Sequence, residues 1–211
     1  MSRFAILLGG DLVVTPRLHR QIAGARLIAA DSGMKHAGAL GLMPELWVGD
    51  FDSAGSELLL DYALVPRQTH SADKDATDGE IAVGEALRLG ASEIVLVGGM
   101  GGESDHVMAH LGMALHLAIS GLKCFISNGE EEAHPLVAGT YGFDFGPQSR
   151  LSIIPWSDIT GLHLTGVKWP LRDKALTLGT SFTMSNVALG PVKLSFTSGI
   201  AIAIAYPTQT D

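Results

Sequence analysis

Short, continuous apolar runs alternate with stretches of helical periodicity in the N-terminal part of the chain, and this alternation constrains the fold most. The runs at 4–8, 26–30, 46–48 and 94–97 each end at glycine or aspartate. Apolar runs without polar alternation are typical of strands buried on both faces of a parallel sheet. The sequence therefore predicts an α/β domain with a doubly wound, mainly parallel sheet over residues 1–126.

Two of the intervening stretches have the pattern of amphipathic helices, at 78–89 and 105–120, with apolar side chains three and four residues apart. Thr77 and Glu80 have the spacing of a capping box, which predicts that the first helix begins directly after Thr77. Ser104 is the predicted N-cap of the second helix.

The pattern changes after residue 126, where glycines, prolines and short alternating apolar runs replace helical periodicity. We therefore expect a C-terminal all-β domain over residues 127–211, either a sandwich or a compact barrel. The acidic run Glu130–Glu132 is interpreted as a solvated turn at the domain junction. The expected strands lie at 151–154, 161–164, 176–178, 181–184, 192–196 and 199–205.

Composition narrows the classes of function. Hydrophobic residues make up 46% of the chain and charged residues 17%, which is enough apolar material for a packed core. The net charge of −8, with no basic cluster, argues against a nucleic-acid partner. No apolar run is long enough for a membrane span or a secretory signal, so we expect a cytoplasmic protein. The single cysteine, Cys124, is interpreted as a buried structural thiol.

Aspartates lie at short spacings where predicted strands end and where a predicted helix begins. Asp50 and Asp52 follow one strand, Asp31 follows another, and Asp75 and Asp78 lie at a helix start. Open α/β sheets bind ligands along the carboxyl edge of their strands. Clustered carboxylates repel one another, and hard oxygen ligands favour Mg²⁺, often together with a nucleotide.

Each of these motifs also has a simpler interpretation. Asp50 and Asp52 could form only a polar turn, or the Asp-x-Asp of a phosphatase with an aspartyl nucleophile, although that motif is expected after the first strand. Asp78 alone could only complement a helix dipole. Lys74 beside Asp75 favours phosphate handling as a point charge.

A loop with four glycines joins the strand at 94–97 to the second predicted helix, in the order Gly-Gly-Met-Gly-Gly from Gly98 to Gly102. Glycine allows close approach of backbone N–H groups to an anion, and the helix start adds partial positive charge. The spacing fits neither a P-loop nor a dinucleotide-binding fingerprint. Three roles stay open for His106: capping the helix, supporting other site residues, or transferring a proton.

Taken in order, these motifs resemble the thiamine pyrophosphokinase family. The resemblance includes Ala30–Gly33, Gly49–Ser53, Asp73–Asp78, Gly98–His106, Leu164–Leu171 and Ser185–Asn186. It implies an α/β domain, a β-sandwich and a homodimer with active sites at the subunit interface. It also implies transfer of the pyrophosphoryl group of ATP to the hydroxyl of thiamine, giving thiamine diphosphate and AMP.

The resemblance assigns roles residue by residue. Asp50, Asp52, Asp75 and Asp78 are expected to be catalytic and to hold Mg²⁺. The acceptor, thiamine, is expected at Trp169, Ser185 and Asn186. The expected nucleotide-binding residues are Asp31, Ser32, Gly33, Ser53, Lys74, Thr77, Gly101, Gly102, Asp105 and His106.

One position departs from the family pattern. Glu103 lies in the glycine loop where members of the family commonly carry arginine, so the charge is reversed; Lys74, Lys35 and Arg67 are candidates to compensate. Two alternatives stay open beside the leading hypothesis: a pyrophosphokinase acting on a pterin alcohol, and a non-catalytic regulator that binds nucleotide or thiamine, which Glu103 favours. A metal-dependent phosphatase is a third.

Overall fold

The structure, a computed structural model, describes residues 2–52, 54–70 and 75–208. The chain divides into two compact units. The first contains residues 1–110 and 122–129, and the second contains residues 111–121 and 130–211. Ser53 and Lys74, both predicted site residues, lie outside the described residues.

The first unit is built on a six-stranded parallel sheet. The strands are β1 (Ser2–Leu7), β2 (Arg26–Ala30), β3 (Leu46–Gly49), β4 (Arg67–Thr69), β5 (Ala91–Val97) and β6 (Lys123–Ser127). Their order in the sheet is β6-β5-β1-β2-β3-β4. The inner strands are almost completely buried, as continuous apolar runs require. This confirms the predicted α/β fold.

Helices connect these strands. They are α1 (Pro16–Ile22), α2 (Lys35–Leu40), α3 (Ser56–Asp61), α4 (Asp78–Arg88) and α5 (Ser104–Ile119), with a 3₁₀ turn at Asp31–Met34 before α2. The predicted helix over 78–89 is α4, which begins directly after Thr77, and the predicted capping box is present. The predicted helix over 105–120 is α5; it begins at Ser104 itself, so Ser104 is the first helical residue rather than the N-cap.

The second unit is rich in antiparallel strands, as predicted for the C-terminal part. The strands are β7 (Glu132–Phe143), β8 (Arg150–Pro155), β9 (Ile159–Val167), β10 (Leu171–Leu176) and β11 (Asn186–Tyr206). The longest strand, β11, pairs with β7, β8 and β9, and β10 pairs with β9. Side chains of these strands, including Leu136 and Leu194, form an apolar core together with Phe145, which follows β7.

Three details of the predicted C-terminal strands were wrong. The predicted strand at 176–178 shares only Leu176 with β10, because the chain leaves the sheet after that residue. Residues 181–184 form a turn, and the runs at 192–196 and 199–205 belong to the single strand β11, which is irregular between Phe196 and Ile200. The acidic run was also misinterpreted at its last residue. Glu132 begins β7, is 2% exposed, and its carboxylate lies 2.9 Å from His134 Nε2.

Cys124 lies in β6, and its thiol is free. Burial raises the pKa of this thiol to about 12, which suits a structural role. Within the described part of the chain, no helix is both long and apolar enough to cross a membrane.

Candidate active site

A cavity of about 300 Å³ lies at the carboxyl ends of the parallel strands in the first unit. It collects segments that follow β1, β2 and β5, together with the start of α4, as expected for an open α/β sheet. Seven predicted site residues line it: Asp31, Ser32, Thr77, Asp78, Gly101, Gly102 and His106. Sequence positions far apart in the chain are therefore brought to one place.

Asp31 begins the turn after β2 with a left-handed backbone, at a φ of 42°. Its carbonyl accepts a hydrogen bond of 2.9 Å from the indole nitrogen of Trp47, which is fully buried. Gly33 does not line the cavity. A Cβ at Gly33 would lie 2.1 Å from the Leu7 carbonyl oxygen, so this glycine is required for close packing of the turn on β1.

Asp50 and Asp52 lie beyond the end of β3, outside the residues that line the cavity. The Asp50 carboxylate accepts a hydrogen bond of 3.0 Å from the Asp52 backbone N–H. Between them, Phe51 has a φ of 63° and packs edge-on against Trp47, with 5.0 Å between ring centroids. Trp47 thus contacts both the Asp31 turn and the Asp-x-Asp turn.

The start of α4 supplies Thr77 and Asp78. The Thr77 hydroxyl accepts from the Glu80 backbone N–H at 3.2 Å, and the Glu80 carboxylate accepts from the Thr77 N–H at 2.9 Å. This capping box sets the direction of the helix, and thereby places Asp78 on the cavity wall. Asp75, three residues earlier, is exposed and does not line the cavity.

The glycine loop from Gly98 to Gly102 forms another side of the cavity. Gly98, Gly101 and Gly102 all have positive φ, between 74° and 82°, a conformation that glycine adopts without strain. The loop leads into the cavity-lining residues Glu103 and His106, whose side chains approach to 3.6 Å between Nε2 and Oε2.

Asp105 lies outside the lining, and its carboxylate accepts a hydrogen bond from the His106 N–H. Ligand atoms of Glu103, Asp105 and His106 lie within 4.8 Å of one another, and all three residues are exposed.

The charge balance of the cavity is negative. Asp31, Asp78 and Glu103 line it, and no lysine or arginine does among the described residues. Of the candidate compensating cations, Arg67 donates to the Leu59 carbonyl at 2.7 Å, and its guanidinium lies 5.3 Å from the Trp47 ring centroid. Lys35 donates to the Gly9 carbonyl at 2.6 Å.

Sequence reasoning missed four contributors to this site. The loop Leu8–Gly10 and His110 line the cavity, and His36 and Trp47 hold its walls by hydrogen bonds. The glycine pair after the first apolar run was a usable signal. The histidines have no ligand spacing, and Trp47 is one residue of an apolar strand, so neither carries a local signal.

A second cavity of about 630 Å³ lies in the second unit. It is lined by residues 168–171 and 182–186, and so contains all three predicted thiamine-binding residues. Trp169 is 53% exposed, so its side chain is not part of the apolar core of this unit. The Lys168 ammonium lies 4.6 Å from the Trp169 ring centroid.

Asn186 is buried and hydrogen-bonded to the backbone of Trp169 in both directions. Its Nδ2 donates to the Trp169 carbonyl at 2.8 Å, and its Oδ1 accepts from the Trp169 N–H at 3.1 Å. Ser185 is exposed, has a φ of 59°, and its N–H donates to the Ser152 hydroxyl. Asn186 therefore shapes the loop that presents Trp169.

Comparison with known proteins identifies the family. The family model described as "Thiamin pyrophosphokinase, catalytic domain" matches residues 21–126, and "Thiamin pyrophosphokinase, vitamin B1 binding domain" matches residues 144–201. The chain belongs to the thiamin pyrophosphokinase family. The aspartate-lined cavity is formed largely by the segment that matches the catalytic domain of this family, and the Trp169 cavity by the segment that matches its vitamin B1 binding domain.

Relatives cover nearly the full length. The thiamine pyrophosphokinase of Bacillus subtilis (strain 168) is 29% identical over 210 residues, covering 97% of this chain and 98% of the relative. A crystal structure of the Bacillus subtilis thiamine pyrophosphokinase superposes with a TM-score of 0.87 at 26% identity, over 98% and 99% of the two chains. An Enterococcus faecalis family member shares the fold, with a TM-score of 0.83 at 24% identity over 98% and 100% of the chains.

Proposed function

We propose that this protein is a thiamine diphosphokinase, which transfers the pyrophosphoryl group of ATP to the hydroxyl of thiamine and releases AMP. One observation carries the proposal: the two family segments each contain a cavity, one lined by carboxylates and glycine loops and one by an exposed tryptophan. The first suits a metal–nucleotide and the second a flat aromatic acceptor.

The lining of the first cavity fits Mg²⁺. Asp31, Asp78 and Glu103 supply carboxylate oxygens, the ligands this ion prefers, and the absence of a lining lysine or arginine among the described residues calls for a cation to accompany phosphate. We propose that Asp50, Asp52, Asp75 and Asp78 hold it. When bound, the ion would neutralise charge on the transferred phosphates.

The residues of the chain would mainly align the substrates and stabilise the charge on the phosphates. Gly101 and Gly102 line the cavity just before the start of α5, where an anion is favoured. Asp31, Ser32, Thr77 and His106, which line the same cavity, are proposed nucleotide contacts. Asp78 is our candidate for orienting the thiamine hydroxyl or accepting its proton, because it lies on the cavity wall at the N-terminus of α4.

The proposed acceptor site contains Trp169, Ser185 and Asn186. A tryptophan that is half exposed in a large cavity offers an apolar ring for stacking on a cationic, aromatic ligand. We propose that the protein is a homodimer in which this cavity of one subunit completes the nucleotide site of the other. The exposed Phe182 and Met184 beside Trp169 support a buried interface there. A cytoplasmic location remains a prediction from composition.

The direct test is product analysis. Purified protein with ATP, Mg²⁺ and thiamine should form thiamine diphosphate and AMP in equal amounts, measured by chromatography. Release of inorganic phosphate from simple esters, without AMP, would instead identify a phosphatase. A pterin alcohol assayed in parallel distinguishes the related pyrophosphokinase, and AMP formation with that acceptor alone would overturn the choice of thiamine.

A non-catalytic regulator is the second candidate, favoured by Glu103 on the cavity wall where a positive side chain is expected for phosphate. Calorimetry would support this candidate if ATP or thiamine bound while no AMP formed over hours.

Asp50→Asn tests the metal assignment. We expect a loss of turnover of about 100-fold or more with an unchanged circular dichroism spectrum, because the variant keeps the shape and removes a ligand charge. Asp61→Asn, which changes an exposed carboxylate at the end of α3, is the matched control and should retain activity. Wild-type turnover in Asp50→Asn would contradict the assignment of Asp50 as a metal ligand.

A further inference from the structure

Two histidines that carry no sequence motif each bind a carbonyl of a cavity-forming glycine loop. We propose that His36 and His110 are positioning residues that hold the two glycine loops of the nucleotide site in their binding conformation. The inference rests on the proposed function for the identity of the ligand. It goes beyond that function because it assigns roles to residues outside the predicted set.

His36 holds the loop after β1. Its Nε2 lies 2.9 Å from the carbonyl oxygen of Gly10, and the neighbouring Lys35 Nζ donates to the Gly9 carbonyl at 2.6 Å. A carbonyl oxygen can only accept, so Nε2 must carry the proton. Both donors lie at the start of α2, which follows the turn that contains Asp31. One helix therefore connects the Asp31 turn to the first glycine loop.

His110 holds the loop after β5. Its Nδ1 lies 3.0 Å from the carbonyl oxygen of Gly99, so by the same argument Nδ1 is the protonated nitrogen. The residue lies on α5, six residues beyond the helix start, and lines the cavity. The helix that follows the loop thus reaches back and fixes it.

The two loops also bind each other. The Gly10 N–H donates to the Gly98 carbonyl at 3.0 Å, and a Cβ at Gly10 would lie 2.5 Å from that oxygen. Together with the two histidine contacts, this bond joins α2, both loops and α5 into one network. Burial lowers the pKa of both imidazoles, so each is neutral near pH 7 and adds no charge beside the phosphates.

The network matters because glycine loops lose much conformational freedom when they order around a ligand. Within the described residues, no backbone carbonyl accepts from the N–H groups of Gly9, Gly101 or Gly102. Loops already fixed by side chains keep such donors in place for phosphate oxygens without an ordering cost at binding. Carbonyls engaged by histidine are also withheld from the anion.

Paired substitutions separate the donor atom from the bulk of the ring. His36→Gln and His110→Asn can each place an amide N–H near the lost nitrogen, whereas His36→Leu and His110→Leu cannot. His116→Leu is the matched control, because His116 is an exposed histidine on α5. Two readouts are measured on each variant: hydrogen–deuterium exchange of peptides covering residues 8–12 and 97–104, and the KM values for Mg²⁺–ATP and thiamine.

For each leucine variant we expect faster exchange in the loop that it frees, and a rise of about fivefold to tenfold in the KM for ATP, the size of one lost hydrogen bond. The KM for thiamine should change by less than about twofold, while the amide variants and His116→Leu should resemble wild type in both readouts. Unchanged loop exchange in both leucine variants would overturn the inference. Amide variants that behave like the leucine variants would also overturn it, because bulk rather than the donor would then be responsible.

The exchange readout does not depend on catalysis. If wild-type protein forms no thiamine diphosphate, the proposed function fails, whereas loop exchange in the apo protein still decides the positioning role.

Discussion

At the scale of single residues, backbone strain occurs in the turns of the predicted sites. Among the described residues, five non-glycine residues have positive φ; Asp31, Phe51 and Ser185 lie in these turns, whereas Gln148 and Asp173 lie outside them. Such conformations cost about 1–3 kcal/mol each and persist only where neighbours enforce them. Trp47 contacts the first two, and Ser152 binds the third. These neighbours therefore hold the three turns in conformations that the local sequence does not predict.

Gly33→Ala should destabilise the protein by about 2 kcal/mol or more, because the new Cβ would meet Leu7 and Leu8 backbone atoms at 2.1 to 2.9 Å and neither chain segment can yield. Gly84→Ala is the matched control: Gly84 lies in the middle of α4, and a Cβ added there would meet nothing within 4 Å, so alanine should stabilise by about 0.5–1 kcal/mol. Chemical denaturation measures both. An unaltered midpoint in Gly33→Ala would contradict the close packing.

Trp169→Ala should raise the KM for thiamine by about tenfold or more with a smaller effect on the KM for ATP, because stacking area for the acceptor is removed. Leu178→Ala removes another exposed apolar side chain of the same unit, outside the cavity, and should leave both constants unchanged. Steady-state kinetics with each substrate varied in turn decides the matter. A KM for thiamine equal to that of wild type would remove Trp169 from the acceptor site.

At the scale of helices and strands, prediction worked where burial and backbone pattern agree. The continuous apolar runs are parallel strands, and the capping box starts α4 where it predicts. The strand predicted at 181–184 was wrong because the burial of its side chains is the reverse of the expected pattern. Thr183 is buried and donates to the Ile153 carbonyl, whereas Phe182 and Met184 are exposed. An alternating pattern indicates a strand only if its apolar side faces the core.

Thr77→Ala should lower the free energy of unfolding by about 1 kcal/mol, because it removes the hydroxyl that accepts the Glu80 N–H. Thr77→Ser retains that oxygen and should lose much less. Denaturant titration of both variants beside wild type gives the difference. Equal losses in the two variants would show that the methyl group, rather than the cap, stabilises this helix start.

At the scale of the whole molecule, stability should fall as the pH drops below about 6.5, the ordinary pKa of histidine. The pKa values of His36 and His110 are lowered chiefly by burial. Between the ordinary pKa and the lowered pKa values, the two histidines are therefore protonated in the unfolded chain but not in the folded chain. The stability contributed by these groups is complete above that pH and is lost as pH falls through their folded pKa values.

Thermal unfolding at a series of pH values between about 7.5 and 5 measures this loss. The double variant His36→Gln/His110→Asn should lose less stability over the range than wild type, because its amides do not titrate. His116→Leu, which removes an exposed histidine, should follow the wild-type curve. A double variant that follows the wild-type curve as well would assign the loss to other groups.

The sequence by itself determined the two classes of architecture, the strand ends at which Asp31 and Asp50 lie, and the start of α4 at Asp78. These features can be predicted from the sequence because hydrophobic periodicity and helix capping involve residues only a few positions apart. Only the tertiary structure decided that Asp31, Asp78 and Gly101 share a cavity that Asp50 and Asp75 do not line, and that His36 and His110 bind its glycine loops. Those relations depend on strand order and on contacts between distant segments, so they cannot be predicted from the local sequence pattern.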